Sequence, residues 1–381
     1  PYEGEDIKMC VAMASCKMER EGMPAEVLSV CMSDEGLTLL FFERDQRVRL
    51  LFAYDDYEKA MASVSEHPPL SYFEEELQRR IPDLKFKLSD GTWMTRFTIR
   101  QRMVQEQRRG RVIFAGDASH SHSPVGGLGM NTGLQDSYNL AWKLALVAKG
   151  IGRSSLIDSY QEERLPVATE LLRTTGASSR FVSNVGNPIF KGVRKVVAAT
   201  NAVAHATRFL GGMVGMTNVN YKGASLSVDS VSNVSFLQSI PLVGAASAVS
   251  AGVRIPDAPL VNSGDGSPTT VHQLCQGTAF CLFLFPGTAE DGLDDTFAIL
   301  KSLASYGIGQ AHVKPVIVAA DAAVAAPFLE RGAAPVVIDT EGHMCHAALG
   351  IADVPTAVLV RPDLHVGLVQ QPASNEGVLG Y

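Results

Sequence analysis

Between Arg111 and Lys149 the chain gathers the residue types that handle a charged or polyhydroxylated ligand. There is one carboxylate, Asp117, and there are two imidazoles, His120 and His122. Three glycines follow, Gly126, Gly127 and Gly129, with Pro124 ahead of them. Asp117 comes just after an apolar run over 112–115 that closes at Gly116 and suits a buried strand. A carboxylate past a strand end stands where open α/β sheets receive ligands, and it accepts hydrogen bonds from hydroxyls. The glycines carry no side chains and allow positive φ, so a ligand can approach the backbone. A helix is expected from near Asn131, and its start carries unpaired N–H groups and a partial positive charge. That end favours an electron-rich group by up to about 2 kcal/mol when partly buried. A phosphate loop is disfavoured, because no Lys follows the glycines and Asp117 would repel the phosphate. The two histidines sit in Ser-His-Ser-His-Ser with no third ligand at a suitable spacing, so no metal is assigned.

A carboxylate placed for a polyol chain, beside a helix end placed for a delocalised anion, describes a flavin. The ribityl hydroxyls would lie on one side and the N1–C2=O edge on the other. Residues 110–145 read Gly-Arg-Val-Ile-Phe-Ala-Gly-Asp-Ala-Ser-His, then Ser-His-Ser, then Pro-Val-Gly-Gly-Leu-Gly-Met-Asn-Thr-Gly-Leu-Gln-Asp-Ser-Tyr-Asn-Leu-Ala-Trp-Lys-Leu-Ala. This run closely resembles the second FAD motif of flavin-dependent aromatic hydroxylases, the monooxygenases of phenol hydroxylase and para-hydroxybenzoate hydroxylase type. The resemblance implies that Asp117, after Gly116, binds the ribityl chain. It places Pro124 near the reacting edge of the isoalloxazine, and the backbone of Gly129, Met130 and Asn131, with Gly127 before it, at the pyrimidine edge. Ser119 stands where the family more usually has Ala. The implied reaction uses NADPH to reduce FAD. O2 then adds at the flavin C4a position, and the hydroperoxide hydroxylates a small phenolic or other aromatic substrate. Epoxidation or Baeyer–Villiger-like insertion are alternatives on the same cofactor. No catalytic residue is assigned.

These groups need a scaffold. Residues 1–105 read as a sheet with helices beside it, resembling the substrate-binding middle domain of those hydroxylases, whose sheet would roof the flavin ring. Runs over 25–32, 37–44 and 46–53 are β-rich, with turns at Glu35-Gly36 and Asp45-Gln46. A short helix is predicted over 57–65, with Tyr57, Ala60, Met61 and Val64 on one face. A second begins near Ser71, with Ser71 and Glu74 as a capping box, Phe73, Leu77 and Ile81 inward, and Pro82 as its stop. Asp90-Gly91 is predicted to be a hairpin turn before a strand over 93–100, on which Arg96 and Arg100 are either substrate contacts or surface residues.

The motif helix is predicted to bury Leu134, Tyr138, Ala141, Ala145 and Ala148, with Trp142 in helix packing and Lys143 on a solvated face. Another helix runs from about Ser154 into Gly176, and Tyr160 to Pro166 resembles a Tyr-x-x-Glu-Arg-x-Pro segment of the family. Pro166 implies a kink or a new first turn. Arg164 either pairs with a carboxylate that holds the motif helix or faces solvent. Helical spacing returns over 190–210, where packing is favoured over membrane-surface contact through Lys191, Arg194 and Lys195.

Residues 106–220 are thus the C-terminal half of an FAD-binding domain with its helices, and 221–252, rich in Ser, Val, Ala and Gly, a linker. Over 253–381, strands at 279–285, 313–319, 336–338 and 357–361 alternate with helical sequence such as 294–306. This part resembles the thioredoxin-like C-terminal domain of phenol hydroxylases without the Cys-x-x-Cys of redox thioredoxins. Cys281 is expected to be a packed thiol, and the domain's role structural or associative, as at a homodimer interface. The fold class is α/β (α+β): a partial FAD-binding domain with a mixed-sheet substrate domain, plus the thioredoxin-like domain.

Composition excludes other classes. A net charge of -7 over 381 residues, without a basic stripe, gives no nucleic-acid footprint. The apolar stretches near 280–286 and 313–326 are too short or interrupted to span a bilayer. Glu3, Glu5 and Asp6 leave no room for a signal peptide, so a cytoplasmic location is expected. Six scattered cysteines suggest free thiols in a reducing compartment.

The family opens with strand–Gly-x-Gly-x-x-Gly–helix, which seats the ADP half of FAD. Ahead of Gly110 stand Gly4, Gly22, Gly36 and Gly91, too far apart for that turn. The sequence is therefore read as the C-terminal portion of such an enzyme, a truncated form that need not be active alone. The alternative is a flavin-free remnant or interaction protein that associates through its thioredoxin-like domain.

Overall fold

The structure, a computed structural model, describes residues 2–21, 28–33, 36–54, 56–123, 127–183, 216, 218–231, 249–287, 290–305, 311–332, 334–340, 342–351 and 354–381. Two compact units emerge. One comprises Pro1–Leu134 and Leu165–Met216, the other Gln135–Arg164 and Thr217–Tyr381. Helix and sheet are mixed in both, in keeping with the α/β (α+β) class.

In the first unit β1 (Tyr2–Glu21), β2 (Leu28–Ser33), β3 (Gly36–Phe42) and β4 (Arg47–Tyr54) precede α1 (Tyr57–Ser63) and α2 (Leu70–Arg80). Then come β5 (Lys85–Val104), the ribbon β6 (Arg108–Arg109) with β7 (Val112–Ile113), and β8 (His120–Ser121). The main sheet has the order β2-β3-β4-β1-β5-β8. The stretch 9–16 is almost continuously apolar because the sheet is buried on both faces. Cys10, Ala12, Ala14 and Cys16 pack with Leu50, Phe52, Phe73 and Leu77 on the helix side. Met9, Val11 and Met13 pack with Leu51 and Ile99 on the other. Asp45 and Gln46 turn the β3–β4 hairpin with φ of 57° and 59°, as a tight hairpin of this hand requires.

Three local expectations are corrected. No hairpin turn forms at Asp90-Gly91: β5 runs through it, antiparallel to the whole of β1 from Tyr2↔Val104 to Glu21↔Lys85. The turn tendency is absorbed by register shifts. Asp90 sits there at φ 50°, with its carboxylate 3.3 Å from Lys17 and 3.0 Å from Arg47. The second correction is at α2, which starts after Pro69 with no side-chain cap, so Ser71 lies inside the helix. Glu74 accepts the Leu88 N–H instead (3.2 Å). Third, the strand past which Asp117 lies is two residues long, with Val112 exposed and Ile113 half-buried. Its partner is the two-residue β6, so Val112 stays 57% exposed.

The second unit holds β9 (Val228–Val231), β10 (Pro259–Asn262), β11 (Pro268–Thr270), α5 (Val271–Leu274), β12 (Phe280–Phe285), α6 (Glu290–Ser305), β13 (Val313–Ala319), α7 (Ala322–Arg331), β14 (Val336–Asp339), α8 (Met344–Leu349), β15 (Thr356–Val360), β16 (Val366–Gln371) and α9 (Asn375–Gly380). Helices α3 (Gly129–Ala148) and α4 (Asp158–Ser183) each contribute to both units. β12, β13 and β14 are parallel neighbours, while β15 and β16 add an antiparallel hairpin. Within the expected linker, Val228–Val231 forms an edge strand parallel to β16. Cys281 is buried inside β12, a packed thiol. The helix expected over 190–210 and linker residues 232–248 lie outside the described residues. Among the described residues, no helix is long and apolar enough to cross a membrane.

α3 turns its expected face outward. Leu134 and Tyr138 are 61% and 56% exposed, and Ala141, Ala145 and Ala148 are exposed too. The buried side carries Thr132, Asp136, Asn139 and Lys143, together with Leu140 and Trp142. Lys143 is therefore the opposite of solvated. The cause is the neighbouring α4, which presents charge. Arg164 Nε lies 2.6 Å from Asp136 Oδ1. Glu163 Oε2 takes Lys143 Nζ at 2.7 Å and Asn139 Nδ2 at 2.6 Å. Arg361 binds Glu163 through both terminal nitrogens (2.5 and 2.9 Å) and reaches Asp363 at 2.6 Å. Trp142 Nε1 donates to Asp363 (3.1 Å). Buried charges demand partners, so pairing overrides apolar periodicity here. Burial lowers the Lys143 pKa to about 8, with Arg361 adding to that effect and the Glu163 and Asp363 carboxylates opposing it. α4 remains one helix through Pro166, with no new first turn.

Candidate functional site

Asp117 sits in a single 3-10 turn, Gly116–Ala118. Gly116 adopts φ 57°, and its carbonyl accepts the Ser119 N–H at 2.8 Å. A Cβ on Gly133 would lie 3.4 Å from the Gly116 Cα, so the turn rests directly on the second turn of α3. Beneath it, buried Gln107 donates to the Ser119 hydroxyl (2.8 Å), and the Val104 N–H donates to the Ser119 carbonyl (2.8 Å). Ser119, where Ala is usual, thus ties the turn to the preceding loop. The Tyr2 hydroxyl donates to the Asp117 carbonyl at 3.0 Å. The Asp117 side chain is exposed, and no described residue donates to its carboxylate.

Beyond the turn, β8 pairs with β5 through Ser121↔Arg102 and His120↔Met103. Gly127 follows at φ 65°, with nothing within 4 Å of a Cβ placed there. α3 opens at Gly129, and the Leu128 carbonyl accepts the Thr132 N–H (2.9 Å) and hydroxyl (2.8 Å). Asp117, Ser121, His122, Gly127, Gly129 and Met130 line one open cavity of about 300 Å³. On its other side Asp117 borders a wider groove of about 850 Å³ with Tyr2, Val112 and Phe114.

His122 is the residue that sequence reasoning weighed only as a metal ligand. Its Nδ1 lies 2.9 Å from the Ser123 carbonyl, which can only accept, so the proton sits on Nδ1. Nε2 is then a lone-pair acceptor, buried and without a partner. It lies against Gly129: a Cβ there would come within 3.3 Å of it. Burial pulls the His122 pKa below its usual value. The Ser123 carbonyl and Asp117 oppose this, while His120, stacked at 6.4 Å, reinforces it. The ring is therefore neutral near pH 7.

Of the residues singled out by sequence, Asp117, Gly127, Gly129 and Met130 share this cavity. Gly116 supplies the turn and Asn131 follows in the first turn of α3, half-buried. Pro124 lies outside the described residues. Arg96 is held by the Met61 carbonyl (2.9 Å), and Arg100 is exposed. In the second unit Asp339, His343 and His346 approach one another within 4.8 Å. The Asp339 carboxylate is already engaged there by the N–H groups of Thr340, Cys345 and His346 and by the His346 ring. Around the cavity an open carboxylate, a helix start and a neutral acceptor fit a flavin's ribityl and pyrimidine groups.

Residues 11–175 match the family model described as FAD binding domain. The chain is 31% identical over 275 residues to an uncharacterized aromatic compound monooxygenase of Bacillus subtilis (strain 168), a match covering 71% of this chain and 49% of that protein. The chain thus spans about half the length of this curated relative. In fold it is similar to anhydrotetracycline hydroxylase from Streptomyces rimosus, with a TM-score of 0.64 at 24% identity over 99% of this chain and 63% of that one. It is also similar to aklavinone-11 hydroxylase, solved in a ternary complex with FAD and aklavinone, with a TM-score of 0.66 at 20% identity over 99% and 62%.

Proposed function

Because residues 11–175 match the family model described as FAD binding domain, we propose that this chain holds the isoalloxazine and ribityl end of FAD in a flavin-dependent aromatic monooxygenase. The whole enzyme would take electrons from NAD(P)H and oxygen from O2 and hydroxylate a phenolic or related aromatic substrate. The observation that carries this reading is the cavity shared by Asp117, His122, Gly127, Gly129 and Met130.

Asp117 would accept hydrogen bonds from the ribityl hydroxyls. The start of α3 would stabilise negative charge on the pyrimidine edge, a fixed dipole needing no reorganisation. Bound FAD supplies the oxygen-activating chemistry. All six cysteines are free thiols, which suits a reducing cytoplasm.

The test is a fluorescence titration of the purified chain with riboflavin and with FAD. Quenching by both supports the reading. Absence of binding by both overturns it for this chain and leaves the flavin-free interaction protein.

A further inference from the structure

Resting on that flavin reading, we propose that His122 Nε2 is the hydrogen-bond acceptor for the imide N3–H of the bound flavin. The argument is one of complementarity. The pyrimidine edge of oxidised flavin presents an acceptor, a donor and an acceptor in sequence: C2=O, N3–H, C4=O. A helix start answers carbonyls alone, because backbone N–H groups only donate. The N3–H needs a lone pair. One is available at His122 Nε2, beside Gly129, on a residue that lines the same cavity as Met130.

Three features make Nε2 fit this role. Its tautomer is fixed from the far side of the ring by the Ser123 carbonyl, so the free nitrogen carries no proton. It is buried and no described residue satisfies it, and a buried polar atom left unpaired is costly enough to call for a partner. Burial keeps the ring neutral near pH 7, which preserves the lone pair. His120, the neighbouring imidazole, and Asp117 are the other titratable groups facing it.

The experiment compares riboflavin with N3-methylriboflavin by fluorescence titration, for the wild type, His122→Phe and His122→Gln. The Phe variant keeps a ring and removes the acceptor; the Gln variant removes the ring and keeps an acceptor. Circular dichroism verifies that each is folded. The wild type is expected to bind riboflavin at least about tenfold more tightly than the N3-methyl analogue, the scale of one hydrogen bond to a satisfied buried partner. His122→Phe should cut that preference to below about threefold, and His122→Gln should restore part of it. An equal preference in wild type and His122→Phe overturns the assignment while leaving the flavin reading intact. Failure of the wild type to bind riboflavin at all overturns both. If His122→Phe does not fold, His122→Leu, which also lacks an acceptor, takes its place: a folded Leu variant that keeps the wild-type preference overturns the assignment, and one that loses the preference while still binding riboflavin supports it.

Discussion

Lys143 Nζ lies 2.7 Å from Glu163 Oε2, and neither side chain has any exposure to solvent. Glu163 also holds Asn139 and both terminal nitrogens of Arg361. One carboxylate therefore satisfies two buried cations and an amide. Glu163→Ala would leave Lys143 and Arg361 with a surplus of buried positive charge. A loss of about 3–5 kcal/mol is expected, the cost of breaking a buried pair from one side. Urea unfolding of wild type and variant measures it. A loss below about 1 kcal/mol would mean that water reaches the cluster.

The same carboxylates set a dependence on acid. Burial pushes the Glu163 carboxyl up, but Arg361, then Lys143 and Asn139, outweigh it and hold it below its ordinary value. Asp363 behaves alike: burial raises it, and Arg361 and His365 bring it well below the usual range. A carboxyl with a lower pKa folded than unfolded gives stability that is present above the unfolded value, about 4. That stability is lost as pH falls through the folded value. The urea midpoint should drop between pH 6 and pH 3, and the slope should flatten in Asp363→Asn. An unchanged slope removes Asp363 from the account.

Asp117→Ala should weaken riboflavin binding by about tenfold, the worth of hydrogen bonds to a charged acceptor, with little change in stability because the side chain is exposed. Competition titration separates the two effects. Unchanged affinity would dismiss the ribityl role.

Gly116→Ala should destabilise the protein by about 1–2 kcal/mol, since φ of 57° puts the Cβ of an L-residue in a strained position. The space beside it is ordinary, with the Gly133 Cα at 3.6 Å from the new Cβ, so the backbone is the cause. Thermal unfolding against Gly127→Ala, a positive-φ site with nothing near its Cβ, tests this. Comparable losses in both would confirm a purely conformational origin, and no loss in Gly116→Ala would refute it.

How far the sequence was legible depended on which force ruled each element. β12, β13 and β15 were readable because a two-sided buried strand must be continuously apolar. Asp45-Gln46 was readable because it interrupts two β-rich runs. The long pairing of β1 with β5 was hidden, since Asp90-Gly91 looks like a turn until Lys17 and Arg47 meet the aspartate. The orientation of α3 was misread because periodicity counts apolar positions, and its inward stripe is Thr132, Asp136, Asn139 and Lys143. A signal was present: those positions are spaced for one helix face, and Glu163-Arg164 and Arg361-Pro362-Asp363 offer the counter-charges. In the site, the order of residues around Asp117 and Gly129 was legible. The role available to His122 was not, because a lone pair left over by a carbonyl contact has no trace in composition.

The inward stripe of α3 also decides how this helix can err. A helix seated on oil-like contacts can creep or roll a little and still find something to touch. One locked by ions has a single seat, since sliding one turn, about 5.4 Å, would strand every cation away from its anion. Variation along α3 should then run opposite to custom, with Leu134, Tyr138 and Ala145 changing freely while Asn139 and Lys143 resist even the gentlest replacement.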